Sequence, residues 1–194
     1  MAEYDARTAL AVVDVQNDFA DPGGSLYVNG GEEVVLVANQ EIERALAAGA
    51  LVVYTQDWHP PSTPHFQKDG GIWPVHCVHG TWGAEFQPEL AVKGEVIRKG
   101  TGGEDGYSGF NVSDPQTGAQ ERTRLDGLLR ERVVGRIVLV GLATDYCVKE
   151  TALDGRRLDF ETTILSNGVR GVNLQPGDDE RALHEAMLAG VRVE

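Results

Sequence analysis

Four of the five histidines, His59, His65, His76 and His79, fall in one short stretch that begins at Asp57 in the run DWHPPSTPHF and ends in WPVHCVHG. Neutral imidazole nitrogens with a carboxylate oxygen suit zinc, iron(II) or manganese(II), and no thiolate is needed. Pro60, Pro61 and Pro64 stand between the candidate ligands. So much proline excludes a helix or a central strand, and it lowers the entropy lost when the loop is ordered. The segment reads as a stiffened loop that holds a cation. The plainer alternative is a surface loop with incidental histidines.

A second group is scattered along the chain: Asp14 in VVDVQNDF, Lys99 in EVIRKG and Cys147 in GLATDYCV. A cysteine in the first turn of a helix faces the positive end of the helix dipole, which favours the nucleophilic thiolate. Thr144 or Asp145 is placed to cap that helix. A nearby Lys99 ammonium would favour the thiolate further. Asp14 could accept the thiol proton and return it to a leaving amine. Each residue also has an inert reading. Cys147 could be a small buried packing residue, Asp14 a loop cap and Lys99 a solvated surface charge. A carboxylate set in an apolar strand is costly unless it is paired, so Asp14 and Lys99 support each other. Cys77 lies on no recognisable helix start and reads as inert.

The elements that must position these residues alternate along the chain. Strands are predicted at Thr8–Val15, Ala50–Thr55, Glu95–Lys99, Arg136–Ala143, Phe160–Ser166 and Val191–Glu194. Helices are predicted at Glu32–Gly49, Thr123–Val134, Asp145–Asp159 and Asp178–Gly190, the first with Val34, Val35, Val37, Ala38, Ile42, Ala45 and Leu46 near helical spacing and Gly49 as its cap. Alternation of this kind implies an α/β fold with a mostly parallel sheet and helices on both faces. In open sheets of this class, ligands bind outside the carboxyl ends of the strands. Asp14, Asp57, Lys99 and the turn Ala143–Cys147 all fall at such ends.

A chain of 194 residues fits one domain, 1–194. Its net charge of -13 argues against nucleic acid and anionic membrane as partners. No apolar run approaches the ~20 residues of a membrane helix, and MAEYDARTALAVV lacks the pattern of a leader peptide. Two cysteines make no disulfide framework, so a reducing, cytoplasmic setting is expected. GTGGEDG follows a strand, but its glycines do not fit the dinucleotide-binding pattern and no helix opens there.

Taken together and in order, VVDVQNDF, DWHPPSTPHF, WPVHCVHGTWGAEF, IRKG and GLATDYCV resemble the nicotinamidase/pyrazinamidase branch of the isochorismatase-like cysteine hydrolases. The resemblance covers almost the whole chain and implies a three-layer αβα fold. It implies Asp14, Lys99 and Cys147 as catalytic residues, and Asp57, His59, His65 and His76 as ligands of one divalent metal ion, zinc first, with iron or manganese as alternatives. It also implies a cis peptide at Leu142–Ala143, with the N–H groups of Ala143 and Cys147 as oxyanion hole. Phe19 and Trp73 match aromatic positions on either side of the substrate ring, and Tyr107 matches another pocket wall; taken singly, each could be an ordinary core aromatic. The activity implied is hydrolysis of nicotinamide, and of pyrazinamide, through a thioester, a step of NAD salvage. Relatives of this kind are often dimers or larger, so a homo-oligomer is a possible state. KGTGGEDGYSGF departs from the usual pattern by an extra residue and the acids Glu104 and Asp105. His79 has no regular family role and reads as surface or as a neighbour of the ligands. The rival readings are an amidase for a ureido or N-carbamoyl compound, using the same Asp, Lys and Cys without need of a cation, and a metal-binding protein without catalysis.

Overall fold

A computed structural model describes residues 2–194. Its main sheet has strands β1 (Thr8–Val13), β2 (Leu51–Asp57), β3 (Glu95–Lys99), β6 (Arg136–Leu142), β7 (Glu161–Arg170) and β8 (Arg192–Val193), in the order β3-β2-β1-β6-β7-β8. Every pairing in it is parallel. A two-stranded antiparallel hairpin, β4 (Asn111–Ser113) with β5 (Gln120–Arg122), lies apart from it. The helices are α1 (Asn17–Ala20), α2 (Gly31–Ala47), α3 (Leu125–Glu131), α4 (Lys149–Arg157) and α5 (Asp178–Leu188).

The sequence TALAVV of β1 explains the layering. Alternate side chains of a strand point to opposite faces, and all six are buried. Leu10 and Val12 pack in one core with Val34, Val35, Ala38, Ile42 and Ala45 of α2. Ala9, Ala11 and Val13 pack in the other, with Leu125 and Leu129 of α3, Ala152 of α4 and Ala186 of α5. The expected three layers are therefore present. Helix α2 ends as its sequence predicts: Gly49 is left-handed (φ 72°), its N–H reaches the Leu46 carbonyl at 3.1 Å and the Ala50 N–H reaches that of Ala45 at 2.9 Å. That is a Schellman closure, which glycine adopts without steric cost.

Several boundaries differ from expectation. Strand β1 stops at Val13 rather than Val15, because Asp14 has φ 48°, outside the extended region. Strand β7 runs on through Asn167 and Gly168, a pair that reads as a turn. Here the glycine lets the strand lie against Val140, where a Cβ would come within 2.8 Å of that side chain. Helix α1 and the β4–β5 hairpin were not expected: the first is only four residues long, and Gln120–Arg122 are all exposed and show no alternation.

Strand order reverses between β1 and β6. Chains leave this point toward β2 and β3 on one side and toward β7 and β8 on the other. A crevice opens at such a switch, at the carboxyl ends of the strands.

Candidate active site

Strand register brings the charged groups together. Asp57 and Lys99 are the last residues of β2 and β3 and are direct partners across the ladder. Asp14 follows β1, where Val13 is partnered by Thr55, and the Thr55 hydroxyl donates to Asp14 Oδ1 at 2.7 Å. Lys99, 1% exposed, is the hub. Its Nζ lies 2.7 Å from Asp14 Oδ2 and 3.6 Å from Cys147 Sγ, and it donates to Asp57 Oδ1 and to the Gly106 carbonyl. Burial opposes the Lys99 charge, but Asp14 and Asp57 outweigh it and hold its pKa well above the ordinary lysine range. Burial also raises the Asp14 carboxyl, with Lys99 pulling it back. Burial opposes the Asp57 charge too, yet Lys99 and His59 hold that carboxyl well below the ordinary carboxylate range. One carboxylate is thus fixed as an anion while its neighbour is poised to take a proton.

Cys147 sits where β6 turns into α4. The peptide Leu142–Ala143 is cis, as expected. The turn differs from the expected α-helical start. Thr144–Val148 forms one turn of π-type helix, with the Val148 N–H on the Ala143 carbonyl at 3.0 Å, a local form frequent at functional sites. No side chain caps it. Asp145 instead accepts from the N–H groups of Val172 and Asn173, at 2.9 and 2.8 Å, and ties the segment after β7 behind the turn. Thr144 is buried in the same turn.

Burial pushes the Cys147 thiol well above its ordinary pKa; Lys99 opposes this, while Asp14 and Asp57 add to it. Burial thus favours the neutral thiol, and the Asp14 carboxylate lies beside it. Ligand atoms of Asp14, Asp57 and Cys147 all lie within 4.8 Å of one another.

Beyond Asp57, His59, His65 and His76 each turn a ring nitrogen into a common space, with those atoms within 4.8 Å of one another. Their ring centroids are 4.9 to 5.3 Å apart. The far nitrogens show which face is left free. His76 Nδ1 meets the Pro74 carbonyl at 2.8 Å, and His65 Nδ1 meets Asp105 Oδ1 at 2.5 Å. Both oxygens accept, so both Nδ1 atoms carry the proton and both Nε2 atoms have free lone pairs. Burial pushes His76 down to about 4 and also lowers His65, which keeps both rings neutral at pH 7. His59 is buried and neither of its ring nitrogens has a hydrogen-bond partner. Such an atom demands an explanation, and a cation supplies one. Asp57 Oδ2 lies 3.8 Å from His59 Nε2, at the rim of this space. Three imidazoles beside an ionised carboxylate fit a divalent ion of the zinc, iron or manganese type.

One pocket is lined by His59, His65, His76 and Cys147 together with Phe19, Trp73, Tyr107 and Ala143. The three expected aromatics are therefore pocket walls. Trp73 Nε1 donates to the Tyr107 hydroxyl at 2.8 Å. Tyr146, which the sequence reading passed over, meets the Trp73 ring edge to face at 4.8 Å. Its position beside the candidate nucleophile was the available signal. Leu26, Val172 and Gly106 are also in the wall; nothing local in the sequence marks them. His79 is exposed and outside the pocket, and its ring lies 6.5 Å from that of Trp58. Cys77 is fully buried, 3.8 Å from the Gly83 carbonyl, with a thiol raised by burial; its inert reading fits.

Residues 8–193 match the Isochorismatase domain family. The chain is 38% identical over 200 residues to the nicotinamidase of Escherichia coli (strain K12), covering 94% of this chain and 92% of that one. Its fold is similar to the crystal structure of the pyrazinamidase of Pyrococcus horikoshii in complex with zinc, with a TM-score of 0.86 and 40% identity over 97% of this chain and 98% of the other. It is also similar to PnC1 from L. infantum in complex with nicotinate, with a TM-score of 0.88 and 34% identity over 100% and 95% of the two chains.

Proposed function

The chain belongs to the isochorismatase domain family, and from that premise we propose that it is a metal-dependent cysteine amidohydrolase that converts nicotinamide to nicotinate and ammonia, and takes pyrazinamide as well. One observation carries the reading: the three convergent histidines and Cys147, whose sulfur has Asp14 and Lys99 beside it, line the same aromatic-walled pocket. A flat ring with an acceptor nitrogen at one end and a carboxamide at the other suits a cavity with these two poles.

The reaction begins with the amide held over Cys147. Asp14 takes the thiol proton as sulfur attacks the amide carbon, and the Lys99 ammonium steadies both anions. The oxygen of the tetrahedral intermediate accepts from the N–H groups of Ala143 and Cys147, each such donor being worth roughly 2.7–4 kcal/mol. Asp14 then gives its proton to the departing nitrogen, the C–N bond breaks and ammonia leaves. Asp14 next deprotonates a water that attacks the thioester; the C–S bond breaks, nicotinate forms and the proton returns to sulfur. Phe19, Trp73 and Tyr107 hold the ring meanwhile, and positioning of this kind can contribute ~7–11 kcal/mol.

His59, His65 and His76, with Asp57, are the proposed metal ligands, and zinc is the ion proposed first. A divalent cation held there supplies a Lewis acid at the end of the pocket away from the thiol. Among the described residues no helix is long and apolar enough to cross a membrane; both cysteines are free, which supports a reducing, cytoplasmic compartment.

The test is a panel of nicotinamide, pyrazinamide, an N-carbamoyl amino acid and isochorismate, assayed for acid and ammonia alongside metal analysis. Release of nicotinate and ammonia in equal amounts is expected. Consumption of the N-carbamoyl compound with nicotinamide untouched would refute the substrate.

A further inference from the structure

The loop after β3 carries Asp105, and we propose that Asp105 is a positioning residue of the cation site, holding the His65 imidazole in the tautomer and orientation that ligation needs. The inference rests on the cation-site reading above and adds a residue that no ligand set contains.

The three rings are oriented in three different ways. His76 is held by a backbone carbonyl, that of Pro74. His59 is held by packing: Gly100 lies so close that a Cβ there would come within 2.5 Å of its ring. His65 alone is held by a charged side chain, through the 2.5 Å contact from its Nδ1 to Asp105 Oδ1. The imidazole is 4% exposed and the carboxylate 29%. Asp105 therefore sits behind the ring, on the solvent side, and is not itself a ligand.

The carboxylate is placed with care. The Asp105 N–H donates to the Ser113 carbonyl at 2.8 Å, and the Ser113 N–H donates back over the same distance, so the residue is pinned to β4. Thr63, two residues before His65, donates its hydroxyl to the Gly103 carbonyl at 2.6 Å and stitches the loop to the proline segment. The neighbouring Gly106 carbonyl accepts from Lys99. A single loop thus braces the cation site through Asp105 and the catalytic ammonium through Gly106. A carboxylate on the far nitrogen of a ligating histidine fixes its tautomer and makes the near nitrogen a better donor; losing such a partner typically costs 10–100-fold in metal affinity.

The test uses the full-length protein stripped of metal, and zinc alone as probe, titrated against a chelator of known affinity. Asp105→Ala is expected to bind zinc about 10–100-fold more weakly than the parent. Asp105→Asn, whose amide oxygen still accepts a hydrogen bond without the charge, should fall between them, and Asp105→Glu should recover most of the loss. The melting temperature of each metal-free variant should match that of the metal-free parent. Unchanged zinc affinity in Asp105→Ala overturns the proposal. So does equal weakening in all three variants with a lowered metal-free melting temperature, which would assign the effect to the fold. Retention of full zinc affinity by His59→Ala would instead remove the cation-site reading itself, and nicotinamide turnover enters none of these measurements.

Discussion

At the scale of single residues, the proposed site divides its work between a thiol that would react and histidines that would bind a cation. Cys147→Ala should abolish turnover and leave the metal content of the purified protein unchanged; loss of metal in that variant would undo the separation. Lys99 is fully buried between two carboxylates. Breaking a buried pair by removing one partner typically costs about 3–5 kcal/mol, and that is the stability deficit expected of Lys99→Met in chemical denaturation at pH 7. The deficit has a signed pH dependence. Lys99 is what pulls the Asp14 carboxyl down against burial, so without it the folded pKa rises further. A group so raised contributes stability that is full below its unfolded value of ~3.9 and is lost as pH rises through the folded value. Asp57 in the parent runs the other way: its depressed pKa contributes stability above ~4 that acidification removes. The Asp14 trend narrows the gap between variant and parent as pH falls from 7 toward 4, the Asp57 trend narrows it further only below ~4, and a deficit flat from pH 7 to 4 would refute the account. Asp14 stood out in the sequence as a carboxylate set in an apolar strand, whereas Lys99 and Cys147 each had an ordinary reading and drew attention through their places after a strand and at a helix start and through the family resemblance. Asp105 was noticed as an oddity but could not be placed, since its partner lies 40 residues away and no local pattern encodes that distance.

At the scale of elements, strand ends and loops set the geometry that the residues use. The alternation of strands and helices was readable from apolar periodicity, and it located the crevice before any distance was known. The irregular pieces were not readable. The π-type turn at Thr144–Val148 has the composition of an ordinary helix start, and its form is decided by how the Ala143 carbonyl is shared. The extension of β7 depends on what Gly168 packs against, which is tertiary information. The loop after β3 shows how little slack remains. Gly100 has φ 73° and lies against the His59 ring. Gly100→Ala must therefore both strain the backbone and displace His59, a proposed metal ligand. The expected result is weaker zinc binding, read by chelator competition, with a fall in nicotinamide turnover that added zinc partly restores. Gly70 is also left-handed, at φ 102°, but a Cβ there would meet nothing within 4 Å. Gly70→Ala carries the backbone strain alone and is the control. Equal zinc affinities in the two variants would show that strain, and not the contact with His59, accounts for the effect.

At the scale of the molecule, the two halves of the site are supplied by distant parts of one chain. The proposed nucleophile, Cys147, comes after β6 and its proposed base, Asp14, after β1, at the point where strand order reverses. The histidines come from the long connection between β2 and β3. That connection has little secondary structure of its own, and its buried His59 has no protein partner for either nitrogen. A cation would tie it to the sheet, so binding should stabilise the whole fold. A ligand that binds only the native state, present at 100 times its dissociation constant, adds about 2.7 kcal/mol. For a chain of this size each kcal/mol moves the melting temperature by about 2–4 °C, so the expected difference between zinc-loaded and chelator-treated protein is roughly 5–10 °C. The shift should disappear in His59→Ala and persist in Cys147→Ala, because only the first touches the ligand set. A parent protein whose melting temperature ignores both zinc and chelator would mean that the histidines converge without binding zinc, and the pocket would lose the pole that selects a heteroaromatic ring.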